Sequence, residues 1–321
     1  MPLDHYVSQV HLRNFYSQKL EVLMYAIRKT DLKSFKTNSE SVCRIEEGNT
    51  NLYLQEDQRA VEKFLKGIEP KYNKALEKLT TNNIDQECVY VIAGFVAYVL
   101  TCSPAGMRIQ SVPLKNFVEE TERIIDSQGI SIPPPSELGG ESLTELLISD
   151  KVQLTIDPKY PQAIGIASIS SLTAAFGNCI WDVLINPFDD TPFFTSDFPI
   201  AIEETEDIRI INRIVPLSPK IAIRIRPNLT IDRDHTDFSF SNFRYAVRKL
   251  SRKEVVGINR LIVRCAESVV FFRDDHEWIS KFVKKNATFR IEMNTYRMPR
   301  GKGTLLGSML KVVDNKRGII S

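Results

Sequence analysis

The first fifteen residues gather side chains able to do chemistry. In His5-Tyr6-Val7-Ser8-Gln9-Val10-His11-Leu12-Arg13-Asn14-Phe15, helical spacing puts His5, Gln9 and Leu12 or Arg13 on one face. An imidazole gives or takes a proton near neutral pH, and a guanidinium grips a phosphate with two parallel hydrogen bonds. Gln9 and Asn14 are of the types that orient such groups, although the same residues also cap or satisfy nearby backbone. A second group is Phe193-Phe194-Thr195-Ser196-Asp197-Phe198-Pro199. Its aromatics anchor a strand in the core, and Pro199 ends the ladder. That leaves Asp197 at a buried strand end, where a carboxylate can hold a metal or act as acid or base. Thr, Ser and Asp also close turns on their own backbone. The third is Asn259. Val255, Asn259, Ile262 and Ala266 recur at four, three and four, which puts Asn259 on the apolar stripe of a helix. A buried amide there must be bonded, either to a neighbouring loop or to something held in a site.

Secondary structure must position these groups. Residues 20–36 alternate as strands do, with Val22, Met24 and Ala26 on one face and Leu23, Tyr25 and Ile27 on the other. Both faces are apolar, so this strand should be covered on both sides, and Thr30-Asp31 turns it into a hairpin. Over 54–80, Val61, Phe64, Leu65, Ile68, Tyr72, Leu76 and Leu79 recur at threes and fours, and Pro70 breaks the run. Further helices are predicted at 84–101, 114–127, 141–148, 160–176, 251–267 and 276–284. Strands are predicted at 152–156, 181–185, 193–195, 208–215, 221–225 and 269–272. Ile132-Pro133-Pro134-Pro135-Ser136, followed by Gly139-Gly140, marks a loop or linker. Helices first and strands later predict an α+β fold, a helical first half packed on a mainly antiparallel sheet. The expectation is a single unit over 1–321. Its best candidate for subdivision is the Pro-rich loop 131–140, between a mainly helical 1–130 and a mixed 141–290. Residues 291–321 would be a basic, Gly-containing and mobile tail.

Four segments taken together resemble a known family. His5-Tyr6-Val7-x-Gln9, Leu12-Arg13-Asn14-Phe15, Thr195-Ser196-Asp197-x-Pro199, and Glu254-x-x-x-x-Asn259 through Ala266-Glu267 look like the bacterial family catalogued as domain of unknown function 4238 (DUF4238). The resemblance spans most of the chain, from His5 to the strand ending at Phe272. Ser8 stands where members commonly have Pro, and Phe198 where they often have Asn, so no role carries over to residue 198. The resemblance implies no established reaction. It implies that His5, Gln9, Arg13, Asn14 and Asp197 are the residues to test first, and it suggests an association with bacterial genome defence.

Composition narrows the classes. Lys and Arg number 42 against 40 Asp and Glu, a net charge of +2, with 43% hydrophobic residues. This excludes a disordered chain, a disulfide scaffold and a domain basic throughout. The five cysteines form no C-x-x-C and predict free thiols in a reducing cytoplasm. The apolar run Val89–Leu100 falls short of the roughly 20 residues that span a membrane, and the N-terminus does not read as a secretory signal. Gly301-Lys302-Gly303-Thr304 lacks the earlier glycine of a P-loop, and Asp232–Asp237 lacks the Gly and Glu of a calcium loop. The triplets Asp31-Leu32-Lys33 and Asp157-Pro158-Lys159 fit a metal-nuclease core no better than chance. Arg290, Arg297, Arg300, Lys302, Lys311, Lys316 and Arg317 gather near the C-terminus with Phe289 and Tyr296, a mixture suited to single-stranded nucleic acid or to a solvated tail.

The resulting expectation is an intracellular nuclease-type hydrolase, a toxin effector of antiviral defence acting on RNA or DNA. His5, Arg13 and Asp197 would be catalytic. Gln9, Asn14, Ser196 and Asn259 would bind substrate, and Asp197 would hold a divalent metal such as magnesium. Arg290, Arg297, Arg300 and Lys302 would contact nucleic acid. Two alternatives stay open, a non-enzymatic sensor or interaction module and a nucleotide hydrolase.

Overall fold

A computed structural model describes residues 2–130, 137, 139–207, 210–230, 237–301 and 303–315. The core of the Pro-rich loop, the acidic loop at 232–236, and the basic residues Lys302, Lys316 and Arg317 lie outside them. The chain opens with β1 (Leu3–His5), α1 (Gln9–Arg13), β2 (Met24–Arg28), β3 (Ser34–Thr37) and β4 (Arg44–Glu46). Helices follow: α2 (Ala60–Ile68), α3 (Tyr72–Thr80), α4 (Gln86–Cys102), α5 (Pro104–Ser127), α6 (Leu143–Ile148), α7 (Lys159–Ala167) and α8 (Ile169–Gly177). Then come β5 (Ile180–Ile185), β6 (Thr195–Ser196), β7 (Ala201–Glu204), β8 (Ile211–Pro216), β9 (Ile221–Arg226) and β10 (Arg244–Lys249). The chain closes with α9 (Arg252–Cys265), β11 (Val269–Phe272), α10 (Glu277–Asn286), β12 (Phe289–Arg300) and β13 (Gly303–Asp314).

The fold is α+β with mainly antiparallel sheets. A five-stranded sheet runs β10-β5-β9-β8-β7, in which only the β10–β5 pair is parallel. A four-stranded antiparallel sheet runs β3-β2-β11-β6. Two-stranded ladders join β1 to β4 and β12 to β13. One hydrophobic cluster extends from Val7 through α4 and both larger sheets to Ile291.

The helical layer is centred on α4, which packs against α2, α3, α5, α7 and α8. Its residues are apolar on nearly every side, and a helix of that kind is stable only when surrounded. Asp85 caps it by accepting the Cys88 N–H at 2.9 Å. Ser103 ends α4 and caps α5, accepting the Gly106 N–H at 3.1 Å, and the chain turns by 63° there. Among the described residues no single helix is long and apolar enough to cross a membrane.

The Pro70 break holds, and several other expectations need correction. Pro70 breaks the long helical run through a 3-10 turn at Glu69–Lys71, as its missing N–H requires. Pro113, by contrast, lies inside α5, which begins ten residues earlier than its spacing suggested. The segment 152–156 forms no strand. Its entry is held by the Lys151 and Val152 N–H groups on the Leu146 carbonyl. The helix expected over 160–176 is two helices meeting at Ser168. The basic tail expected after 291 is, up to Asp314, a twelve-on-twelve antiparallel hairpin with register from Phe289↔Asp314 to Arg300↔Gly303. Tyr296 lies over Gly307, where a Cβ would meet its ring at 2.2 Å.

Candidate functional site

The candidate site is built on the β1–α1 turn. The carbonyl of His5, at the end of β1, accepts the Tyr98 hydroxyl of α4. The Tyr6 N–H donates to Cys43 O at 2.8 Å, and the Ser8 carbonyl accepts His11 N–H at 3.0 Å to start α1. Only Gln9 and Arg13, the first and last residues of α1, share a helix face; His5, which helical spacing placed with them, ends β1 and meets Gln9 from there. Arg13 Nη2 donates to Gln9 Oε1 at 2.9 Å, and Gln9 Nε2 lies 3.5 Å from His5 Nδ1. Ser39 Oγ, which accepts the Tyr16 hydroxyl at 2.8 Å, reaches Gln9 Oε1 at 3.4 Å. His5 Nε2 is buried and has no hydrogen-bond partner among the described residues.

These three residues line a cavity of about 650 Å³ between α1 and α2, within the usual range for small-molecule sites. The opposite wall is Glu62, Leu65, Lys66 and Glu69 of one α2 face and the turn that follows. Asp4 and Asn49 close the floor. Arg59 satisfies two of the acids, bonding Asp4 Oδ1 at 2.8 Å and the Glu62 carboxylate. Asp4 Oδ2 accepts the Asn49 N–H at 3.0 Å. The floor loop is held from behind by Lys159, whose Nζ donates to the Glu47 and Thr50 carbonyls at 2.7 and 2.9 Å. Gln162 adds a bond to Gly48 O at 2.8 Å. Lys159 of the second triplet is therefore a strap for this loop. The first triplet lies in the exposed β2–β3 turn, where Asp31 pairs with Arg28 at 2.8 Å.

Lys66 and Glu69 are the site residues that sequence reading missed. Neither side chain forms a hydrogen bond or ion pair among the described residues. The readable signal was their place on the polar edge of α2, three residues apart, just before Pro70.

The other expected residues lie elsewhere, each with a structural tie. Asp197 is a correction: it does not share the cavity with His5 and Arg13. Oδ1 accepts Glu267 N–H at 2.9 Å, and Oδ2 accepts Ser268 and Val269 N–H at 2.7 and 3.1 Å. On the same segment Lys29 Nζ donates to Ala266 O at 2.6 Å and Phe289 O at 2.8 Å. Two buried ionisable side chains thus clamp the α9–β11 connection from its amide side and its carbonyl side. Burial pushes the Asp197 carboxyl up to about 7 against the pull of those N–H groups, and burial lowers the Lys29 ammonium to about 8. With both Asp197 oxygens engaged by backbone, the residue does not fit the metal-ligand role expected for magnesium. Among the described residues no group of three His, Cys, Asp and Glu side chains is placed to hold a metal ion.

Ser196 is fully buried, and its Oγ accepts Phe198 N–H at 3.2 Å. Asn259 bridges the strand entry, accepting Phe194 N–H at 2.9 Å and donating to Pro192 O at 2.8 Å. Asn14 caps α1 on Val10 O and reaches Asn73 of α3 at 3.1 Å. His11 sits between the Tyr72 hydroxyl at 2.7 Å and Thr195 Oγ1 at 2.8 Å, stacked on Phe95. Full burial lowers its imidazole to about 3, so it is a neutral core tie between α1, α3 and β6. The five cysteines are all unpaired, and burial raises the thiols of Cys88 and Cys102 to about 12.

Of the proposed nucleic-acid contacts, Arg290 pairs with Glu292 at 2.9 Å and Arg297 with Glu120 at 3.0 Å, so much of their charge is already answered within the fold. Arg300 is exposed at the hairpin tip. Arg108 of α5 joins this network, holding Glu267 and Glu292 at 2.7 Å each.

No curated protein and no solved structure matches the chain. Residues 4–276 match the family model described as Protein of unknown function (DUF4238). That match takes in the β1–α1 turn, the cavity walls, the Asp197 clamp and α9, and the chain belongs to the DUF4238 family.

Proposed function

We propose that the cavity between α1 and α2 is the active site of a nuclease-type hydrolase that takes the phosphoester of an RNA strand or a nucleotide. The observation that carries this reading is the convergence of His5, Gln9 and Arg13 on one open cavity, with Lys66 opposite. Arg13 supplies a guanidinium fork and Lys66 a point charge, the pair that seats a phosphate and offsets charge developing in the transition state. His5, held by its backbone to α4 and by its ring to Gln9, meets the reacting oxygens. Gln9 positions both His5 and Arg13, since it bonds each of them. Asp197 has no part in the chemistry. It shapes the connection between α9 and β11.

Purified protein would be incubated with tRNA, mRNA, DNA and free nucleotides, in magnesium and in chelator, beside Arg13→Ala and His5→Ala. The expected result is turnover of a ribonucleotide substrate that falls by about a hundredfold or more in either variant. Wild type no more active than the variants on every substrate would sink the reading. An effector role in defence adds a cellular expectation, that expression arrests growth and degrades RNA only when Arg13 is intact. A non-enzymatic sensor is the second reading. It keeps the same cavity and is favoured by the purely structural use of Asp197. Its mark is ligand binding that depends on Arg13, with no turnover.

A further inference from the structure

We infer that Glu69 is the proton acceptor of this cavity and that His5 is a hydrogen-bond donor through Nε2, held in that role by Gln9 and Arg13. The inference rests on the phosphoester reading above. It begins with the orientation of one amide. Gln9 Oε1 must face Arg13 Nη2, at 2.9 Å, because a guanidinium only donates. Ser39 Oγ approaches the same oxygen at 3.4 Å. The amide nitrogen is therefore turned toward His5 Nδ1, 3.5 Å away. An amide N–H can only donate, so Nδ1 is the accepting nitrogen of the ring and Nε2 carries the proton.

That assignment makes the free end of His5 an N–H donor. Nε2 is buried with no hydrogen-bond partner among the described residues, and His5 borders the cavity. A buried donor without an acceptor is costly, and an oxygen of a bound ligand would satisfy it. In this form the ring is a poor acid, because losing the Nε2 proton would leave an imidazolate. It is also a poor base, because its lone pair faces the Gln9 amide. It acts instead as a hydrogen-bond donor, polarising an oxygen of the substrate.

Proton removal then falls to another group. Asp4 and Glu62 are both held by Arg59, and Arg13 and Lys66 are cations. Glu69 is the lining carboxylate with neither a hydrogen bond nor an ion pair among the described residues. Glu69 lines the same cavity as His5, whose carbonyl is fixed by the Tyr98 hydroxyl. In the step inferred, Glu69 takes the proton of the attacking water or ribose 2′-hydroxyl. The new O–P bond forms as the bond from phosphorus to the leaving oxygen breaks, and that oxygen takes a proton from solvent. His5 Nε2–H, Arg13 and Lys66 bond the non-bridging oxygens throughout.

Two measurements on the full chain test this. In protein labelled with ¹⁵N-histidine, two-bond ¹H–¹⁵N spectra read the tautomer of each ring without reference to activity. The expected result at pH 7.5 is the Nε2–H form for His5, and a move of the proton to Nδ1 in Gln9→Glu. There the new carboxylate can only accept, and it still pairs with Arg13. A wild-type His5 protonated at Nδ1, or a tautomer unmoved by Gln9→Glu, overturns the lock. The second measurement is Glu69→Gln, expected to lose about a hundredfold or more in turnover while its Kd for 5′-AMP stays within about threefold of wild type. Retained turnover in Glu69→Gln removes Glu69 from the role. If wild type turns over no phosphoester, the functional reading falls and takes the Glu69 role with it, whereas the tautomer result stands or falls on the spectra alone.

Discussion

Asn259 and Arg13 are both polar residues on helices, yet their removal should have opposite consequences. Asn259 is fully buried, and both of its bonds go to the backbone just before Thr195. Asn259→Ala leaves the Phe194 N–H and the Pro192 carbonyl unpaired in the core. Each orphaned group costs about 1–3 kcal/mol, so urea unfolding should show a loss of about 2–6 kcal/mol for the two together, with folding retained at low temperature. Arg13 is exposed and bonded only within its own helix. Arg13→Ala should change stability by no more than about 0.5 kcal/mol while reducing the phosphoester turnover we propose. The sequence made Asn259 legible as a buried amide, because the apolar stripe on either side of it is regular. It could not make Asp197 legible as a clamp, since the N–H groups it accepts lie 70 to 72 residues away in the chain.

At the scale of elements, the corner between α4 and α5 decides how the helical layer closes. At Gly106 an added Cβ would lie 2.1 Å from the Leu100 carbonyl oxygen and 2.8 Å from its carbon. Both are backbone atoms of the preceding helix and cannot move aside cheaply. Gly106→Ala should therefore cost several kcal/mol, at or above the ~1–3 kcal/mol typical of overpacking, and lower the thermal midpoint accordingly. Gly257, inside α9, has nothing within 4 Å of the same position. Gly257→Ala should raise stability by about 0.5–1 kcal/mol through helix propensity alone. Helices were the more legible elements, since local signals mark their ends. Pro70 breaks one run, and Ser251 with Glu254 forms a capping box at the start of α9. Strands were less legible. β10 is exposed along all six residues, so it carries no apolar alternation to read. β12 opens with a period-two pattern, Phe289, Ile291 and Met293 against Arg290, Glu292 and Asn294, but its outer half, Tyr296–Arg300, is exposed and carries none.

For the whole molecule, two buried groups set opposing responses to acid. The His11 imidazole is lowered to about 3 by burial. Below its unfolded value near 6.5, the unfolded chain binds a proton that the folded chain refuses. Stability from His11 is therefore present above about pH 6.5 and is lost as pH falls toward 3. Asp197 is raised to about 7, so over about pH 4–7 the folded chain binds a proton that the unfolded chain does not. Its contribution is present below about pH 4 and is lost as pH rises through 7. Between pH 4 and 6.5 the two slopes nearly cancel. Asp197→Asn removes one of them, and its stability should then fall by about 1.4 kcal/mol for each pH unit of acidification in that window. Urea melts at pH 6.5 and 5.0 would measure it. A variant whose pH dependence matched that of wild type would show that the two protons are not bound as described.

The sequence by itself determined the fold class, the helix that carries Asn259, the Pro70 break, the unpaired cysteines and the grouping of His5, Gln9 and Arg13. Those features depend on residue type and on spacings of a few residues, and local sterics and periodicity act at that range. Only the tertiary structure decided which polar residues share a cavity. Asp197, Ser196 and Asn259 are as polar as His5 and Arg13, but β6, the turn after it and α9, which carry them, lie in the core, where every donor and acceptor must find a partner in the fold. The β1–α1 turn instead lies at the edge of the helical layer, facing α2. There His5 Nε2 and the Lys66 and Glu69 side chains form no hydrogen bond or ion pair among the described residues, which leaves them available to a ligand. Partnering of that kind is settled by contacts between residues far apart in the chain, and no local pattern encodes it.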